Sequence, residues 1–462
     1  MKLVPVILSG GIGSRLWPYS RSDFPKPFIQ LPCGGSLFGK TVQRAFALQD
    51  VREAIVVCNK KYAHLTNQAL ESLNKKDNTY CIWEPEARNT AAAIAVAAKF
   101  AQNKWGSETL LLVMPSDHLI QKEDEFKLAV KEAARYAAQG RLMIFGINPD
   151  SIETGYGYIE HEKEQVIRFI EKPDFETAKA LINTKRVVWN SGMFCFKATQ
   201  ILDEISQHFN QLAIPLRNLQ MNVEEGNEIE FSAEEYSVLP EQSIDYAVME
   251  KSFNLAVVVC SIGWDDIGSW TSYAKLLKDV DEEGNVKQGN VVAINSQNNV
   301  VLGNDRLIAT VGVDNLVVVA TEGSTLIARK DLVQDVKKLA KLPQITTNEF
   351  AQTQRPWGTY QVIDRGHGYK VKRIEVFPGG MLSLQLHHHR DEHWTIVSGE
   401  AYVTKGEEIL FLSSNESVFI PKTIKHRLHN RSDKPCILIE VQYGDYLGED
   451  DIQRLEDIYK RV

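Results

Sequence analysis

Residues 3–28 read LVPVILSGGIGSRLWPYSRSDFPKPF. The apolar run Leu3–Leu8 has the length of a buried strand and stops at Gly10-Gly11. Gly13 follows, then Arg15, and Lys26 stands between two prolines. A strand ending in residues without side chains, with two cations close behind, suits a phosphate. Glycine lets backbone N–H groups approach an anion, and a helix start adds a favourable dipole. Two familiar phosphate loops fail on spacing. A dinucleotide fingerprint read from Gly11 through Gly13 puts Leu16 where its last glycine belongs, and no Lys-Ser or Lys-Thr pair follows the last glycine as a P-loop requires. What stands is G-G-x-G-x-R-L followed by P-K-P. Strand, glycines, Arg15 and Lys26 together weigh against an incidental glycine turn.

Working outward, the next runs alternate between strand and helix. Strand-like AIVVCN, YCIWEP, TLLLVMPSD and RLMIFGI are separated by helix-like NTAAAIAVAAKFAQNKW and EDEFKLAVKEAARYAAQG. This order predicts an α/β, Rossmann-like domain over residues 1–283 with a mostly parallel sheet, and ligands beyond the C-terminal ends of its strands. From residue 284 the texture changes to short β-rich runs (NVVAI, NNVVL, LIATVG, NLVVVAT, STLIARK) punctuated by Gly and Asn. A small β-solenoid or β-meander fits. The run KDLVQDVKKLAKL predicts a charged helix closing this segment near residue 342, before a polar linker. Residues 343–462 are again β-rich and predict a separate all-β barrel or sandwich.

Composition bounds the class. A chain of 462 residues has room for about three domains of ~150 residues. Hydrophobic content of 44% and charged content of 24% are those of an ordinary globular protein. The net charge of −8 argues against general nucleic-acid binding while leaving local phosphate sites open. The six cysteines show no C-x-x-C spacing and mostly sit in apolar runs, as buried free thiols of a reducing compartment do. The N-terminal apolar run is too short for a signal peptide, and no stretch reaches membrane-spanning length. The expectation is a cytoplasmic protein without membrane partners.

Candidate chemistry gathers at predicted strand ends. In VMPSDHLI, Asp117 follows an apolar strand, where a carboxylate can hold Mg²⁺ or cap a helix. GWDDIGSW supplies Asp265 and Asp266. RFIEKPD places Glu171 beside Lys172, and VVWNSGMFCF sets Asn190 and Ser191 in an otherwise apolar strand, where they need partners.

Together these motifs, with EPEARNT, GYGYIE and SIDYAVME, resemble the sugar nucleotidyltransferases, and most closely the mannose-1-phosphate guanylyltransferases. The resemblance covers nearly the whole chain in the family's order; Ala92 stands where the family usually has Pro. It implies a GT-A-like domain that transfers GMP from GTP to mannose 1-phosphate, giving GDP-mannose and pyrophosphate. It further implies that amides around Gly10, Gly11 and Gly13 cradle the nucleotide, that Arg15 and Lys26 neutralise its phosphates, and that Arg88, Asn89 and Thr90 lie near the nucleoside. Asp117 and Asp266 would bind Mg²⁺. Gly157, Glu171 and Asn190 would meet the sugar, Lys172 its phosphate, and Asp245 would support the site. Guanine selectivity rests on the resemblance alone.

The C-terminal part makes an independent case. PGGMLSLQLHHHRDEHWTIVSGEA carries Gly379, Gln385, His387, Glu392 and Gly399 at the spacing of a first cupin motif, with Gln for its usual first His. IPKTIKHRLHN supplies Pro421, His426 and Asn430 of the second, with Thr423 for its usual Gly. Alternation puts Gln385 and His387 on one face of a strand, and a later strand can bring His426 opposite. One carboxylate with N and O ligands suits Zn²⁺ or a similar divalent metal. This part resembles the type II phosphomannose isomerase domain often fused to the guanylyltransferase, which implies interconversion of mannose 6-phosphate and fructose 6-phosphate, with Arg390 as the candidate phosphate or enediolate contact. The alternatives are a guanylyltransferase whose cupin is a structural or oligomerisation module, a catalytically silent relative, or an enzyme using UTP or dTTP with glucose 1-phosphate. A homo-oligomer is compatible with all of them.

Overall fold

The computed structural model describes residues 1–224, 226–346 and 348–459. They form two compact units. The first is Met1–Gly13 with Pro25–Leu276; the second is Ser14–Phe24 with the chain from Leu277 onward.

The first unit is built on a ten-stranded sheet. Its strand Leu3–Ser9 runs parallel to Ala54–Asn59 on one side and Leu110–Pro115 on the other, and Thr79–Glu84 extends the parallel part. These strands are apolar on both faces because helices cover both. The helix Asn89–Trp105 shows how: residues Ala91–Ala98, six of them alanine, are all buried, with Ile94 and Val96 in the same core as Val4, Val6 and Ile55 of the sheet. The sheet is mixed rather than mostly parallel. Val187–Lys197 runs antiparallel to both Leu110–Pro115 and Leu142–Ile147, and the hairpin Tyr158–Glu162/Gln165–Ile170 joins antiparallel at the edge. A strand buried on both faces carries no alternation that reveals its direction, so VVWNSGMFCF reads the same either way. Its polar members have partners: Ser191 Oγ donates to the Phe145 carbonyl at 2.7 Å.

In the second unit, Val286–Gln288, Val300–Leu302 and Leu316–Ala320 pair in parallel, as do Val291–Ile294 and Ile308–Val311. Parallel pairing of successive short strands makes this a β-solenoid and not a meander. Buried asparagines tie its coils: Asn299 Nδ2 donates to Asn285 Oδ1 at 2.9 Å and to the Val313 carbonyl at 2.8 Å. The charged helix expected next is instead a 3₁₀ stretch, Lys330–Asp335, followed by a single α-turn, Val336–Leu339. Only Val333 and Val336 of these two pieces are buried, too narrow an apolar stripe to hold a long helix against the unit.

The chain then forms two antiparallel sheets of six and five strands. Their facing sides bury Trp394, Ile396, Val403, Leu428 and Leu438 in one core. No helix among the described residues is long and apolar enough to cross a membrane. Of the six cysteines, all unpaired, five are buried and Cys33 is exposed.

Candidate functional site

The glycine loop of the first unit is shaped around Lys26. Gly13 has φ +69°, and a Cβ there would lie 2.3 Å from the Lys26 Cβ, so only glycine fits. Lys26 N donates to the Ile12 carbonyl at 3.0 Å, which folds the Pro-Lys-Pro turn back under the loop. Gly10 and Gly11 are exposed at the strand end, and nothing lies within 4 Å of where a Gly11 Cβ would be. The Lys26 side chain is buried. Its ammonium donates to Asp117 Oδ2 at 2.8 Å and to the Asp266 carbonyl. Burial pushes the Asp117 carboxyl up, but the Lys26 and His118 charges outweigh it and hold it below its ordinary value. Lys26, Asp117 and Asp266 therefore converge at the strand ends. Arg15 lies on the turn Ser14–Leu16 in the second unit, half-buried.

A second group forms beside the first. A Cβ on Gly157 would lie 2.6 Å from Glu171 Oε2 and 3.3 Å from the Asn190 Cβ, so this glycine lets the loop close over both polar side chains. Asn190 Nδ2 donates to Asp245 Oδ1 at 3.1 Å, and Glu171 pairs with Lys172. Burial and the Glu171 charge push the Asp245 carboxyl up to about 7. Burial works against the Lys172 charge, but Glu171 and Asp245 outweigh it and raise the ammonium. Thr90 Oγ1 accepts from the amide of Ile244 at 2.9 Å, linking the start of the alanine helix to the segment that carries Asp245. Asn89 has φ +63° and accepts from the Thr90 amide, and Arg88 pairs with Glu86.

Several neighbours escaped the sequence reading. Glu84, the first residue of EPEARNT, is buried, accepts from Tyr236 Oη and is pushed up to about 7 by burial. Its carboxylate would lie 4.0 Å from a Gly10 Cβ, at the floor of the loop. Tyr156, between the glycines of GYGYIE, donates to Asp266 Oδ1 at 2.8 Å. Trp264 Nε1 donates to His118 Nδ1 at 3.2 Å, which leaves the His118 proton on Nε2, 3.8 Å from Asp117 Oδ1.

In the second unit the cupin residues meet as the spacing predicts. His387, Glu392 and His426 are each about 1% exposed, and their ligand atoms lie within 4.8 Å of one another. Gln385 stands opposite His426 across paired strands and lines the same cavity as Glu392. His426 Nδ1 is 2.8 Å from the Ile424 carbonyl, so its Nε2 presents a lone pair; that nitrogen and His387 Nδ1 are buried without hydrogen-bond partners. Burial pushes Glu392 up, yet the adjacent His387 and His426 imidazoles hold it well below its ordinary value. Two imidazoles, a charged carboxylate and an amide oxygen fit a divalent cation.

Arg390, expected as a phosphate or enediolate contact, lines the same cavity as Gln385 and Glu392. It is 2% exposed, with Nε on Glu392 Oε1 at 3.1 Å and an NH group on the Gly448 carbonyl at 2.9 Å. It braces Glu392. Lys372, Arg355 and Arg454 line the cavity with it. Glu440 also lines it, bonded by Trp394 Nε1 and Gln442 Nε2 and pushed up to about 7 by burial and the Glu392 charge.

Comparison with known proteins agrees with both halves. A family model described as nucleotidyl transferase matches residues 4–283, and one described as mannose-6-phosphate isomerase C-terminal matches residues 309–457. The chain is similar to a Salmonella muenchen mannose-1-phosphate guanylyltransferase (43% identical, covering 98% of each chain). It is also similar to the alginate biosynthesis protein AlgA of Pseudomonas syringae pv. tomato, 42% identical over 99% of this chain and 97% of that one. Among solved structures, one titled mannose-1-phosphate geranyltransferase from Thermus thermophilus superposes with a TM-score of 0.65 at 29% identity, covering 74% of this chain and 99% of its own. A mannose-6-phosphate isomerase from Helicobacter pylori gives 0.51 at 30% identity, covering 57% and 100%. The nucleotidyl transferase match spans more than half of the chain and both relatives align along nearly all of it, so the chain belongs to the nucleotidyl transferase family.

Proposed function

We propose that the first unit transfers GMP from GTP to mannose 1-phosphate. A phosphate oxygen of the sugar phosphate bonds to the α-phosphorus of GTP, the bond from that phosphorus to the bridging oxygen breaks, and pyrophosphate leaves. The observation that carries this reading is the convergence of Lys26, Asp117 and Asp266 beside the cluster of Gly157, Glu171, Asn190 and Asp245. One group suits a nucleotide's phosphates and the other a sugar's hydroxyls. Positioning and charge neutralisation dominate such transfers. The amides at Gly10, Gly11 and Gly13 hold the triphosphate, Lys26 and Arg15 neutralise it, and Lys172 holds the sugar phosphate. Arg88, Asn89 and Thr90 flank the nucleoside. Asp117 and Asp266 hold Mg²⁺, which supplies charge neutralisation on the triphosphate; two carboxylates completed by substrate phosphates are the donor set this ion takes.

The second unit, on the same reading, interconverts mannose 6-phosphate and fructose 6-phosphate. Gln385, His387, Glu392 and His426 hold Zn²⁺ or another divalent metal, whose chemistry is polarisation of the substrate oxygens. Arg390 positions Glu392. Functional domains at 1–283, 284–342 and 343–462, a cytoplasmic location and self-association complete the proposal. The test is pyrophosphate release with a panel of nucleotides and sugar 1-phosphates, run beside an isomerase assay. Release with UTP and glucose 1-phosphate, and none with GTP and mannose 1-phosphate, would overturn it.

A further inference from the structure

Tyr156 has no role in the proposal above, yet it touches both halves of the site. Its neighbour Gly157 is the residue against which Glu171 and Asn190 close. Its ring sits between Trp189, which precedes Asn190, and Trp264, which lies two residues before Asp266; both ring centroids are 5.2 Å away, edge-on. Its hydroxyl donates to Asp266 Oδ1 at 2.8 Å, and the Gly268 amide donates to the same oxygen at 2.9 Å. Gly268 permits this closeness, since a Cβ there would lie 2.5 Å from Asp266 Oδ2. With Oδ1 taken by two donors the carboxylate cannot rotate freely, and among the described residues no hydrogen bond falls on Oδ2, which leaves that oxygen for a cation. Trp264 also continues to His118 and thence towards Asp117.

We propose that Tyr156 is a positioning residue that couples sugar-phosphate binding at the Gly157 loop to cation binding at Asp266. A sugar phosphate held against Gly157 keeps Tyr156 in place against the two indoles, and with it the Asp266 carboxylate. A cation on Asp266 fixes the loop in return, because coupling between two ligands is reciprocal. The inference rests on the assignment of Asp266 as a Mg²⁺ ligand.

The test uses Mn²⁺ as the paramagnetic probe for Mg²⁺, titrated against full-length protein with and without mannose 1-phosphate and read as free Mn²⁺ by electron paramagnetic resonance. The background is His387→Ala/His426→Ala, which removes the cupin site from the measurement. In that background mannose 1-phosphate should tighten Mn²⁺ roughly tenfold, within the usual range of allosteric coupling. Tyr156→Phe, which keeps the ring, should weaken Mn²⁺ about tenfold, as loss of an outer partner of a metal ligand does, and should shrink the sugar's effect to less than twofold. Unchanged Mn²⁺ affinity in Tyr156→Phe would overturn the proposal, as would weaker binding that keeps the full tenfold response to the sugar. Asp266→Asn separates the two levels. If that variant binds Mn²⁺ like its parent, the metal assignment itself falls; if it loses Mn²⁺ while Tyr156→Phe does not, only the coupling falls.

Discussion

The glycine loop allows two single-methyl substitutions to be set against each other. At Gly13 a Cβ meets Lys26 atoms at 2.3 and 2.8 Å, and φ is +69°. The left-handed backbone costs alanine ~1–2 kcal/mol, and pushing Lys26 aside costs ~1–3 kcal/mol more. Gly13→Ala should thus destabilise the first unit by ~2–5 kcal/mol, or roughly 5–15 °C in melting temperature for a unit of this size. It should also lower guanylyl transfer, because Lys26 is pulled from Asp117. Gly11 is the opposite case: its φ is not positive, and its missing Cβ faces open space. Gly11→Ala should leave the fold unharmed or gain ~0.4–1 kcal/mol through the unfolded chain. If the Gly11 amide holds a GTP phosphate, the methyl intrudes on it. Losing a charge-assisted bond of ~1.5–3 kcal/mol should raise the KM for GTP or lower kcat by roughly 10–100-fold. Melting curves and initial rates of pyrophosphate release on the two variants measure both effects. Wild-type kinetics in Gly11→Ala would refute the phosphate cradle, and a wild-type melting temperature in Gly13→Ala would refute the packing argument.

Asp117→Asn and Asp266→Asn should each cut Mg²⁺-dependent transfer strongly. Asp265→Asn should do less, since Asp265 Oδ1 caps the Ile267 amide at 2.7 Å and faces Lys275; a steady-state Mg²⁺ titration ranks the three. His387→Ala and His426→Ala should lose metal, measured by elemental analysis, together with isomerase activity, while Lys172→Ala loses only guanylyl transfer. Loss of both activities in all three variants would show that the sites are not independent. Asp245, raised to about 7 in the fold from an ordinary 3.8, binds its proton more tightly folded than unfolded. Its contribution to stability is full below pH ~4 and falls as pH rises towards 7. Asp245→Asn should therefore flatten the decline of melting temperature across that window; an unchanged slope would count against a buried neutral carboxyl.

How much of this was legible in the sequence differs from residue to residue. Gly13 and Lys26 were readable because a strand end, a glycine and a cation at short spacing meet through local geometry alone. The cluster of Gln385, His387, Glu392 and His426 was readable because strand alternation and motif spacing bring these residues together. The direction of Val187–Lys197 was not, because a strand buried on both faces has no directional pattern. Tyr156 was passed over since a tyrosine flanked by glycines carries no local signal of a partner 110 residues away. The signal available was the aromatic density of GYGYIE, VVWNSG and GWDDIG taken together. Arg390 was legible only in part. Its charge and its neighbour Glu392, two residues along the same strand, are visible in the sequence, but its bond to the Gly448 carbonyl depends on how segments far apart in the chain close on each other. KDLVQDVKKLAKL had helical spacing but lacked a surface wide enough to bury it.

The asparagine ties of the solenoid have a consequence for how this chain tolerates changes of length. Val286 sits over Val300 and Val300 over Val317, so each coil takes 14 to 17 residues and pairs in parallel with the next. Stability in such a stack is close to a sum of nearest-neighbour terms. A whole coil with its own Asn285-like residue can be added or removed as a unit, with each remaining coil keeping its neighbour contacts. Inserting a single residue inside a coil would instead turn an inward valine outward and break the stack at that rung.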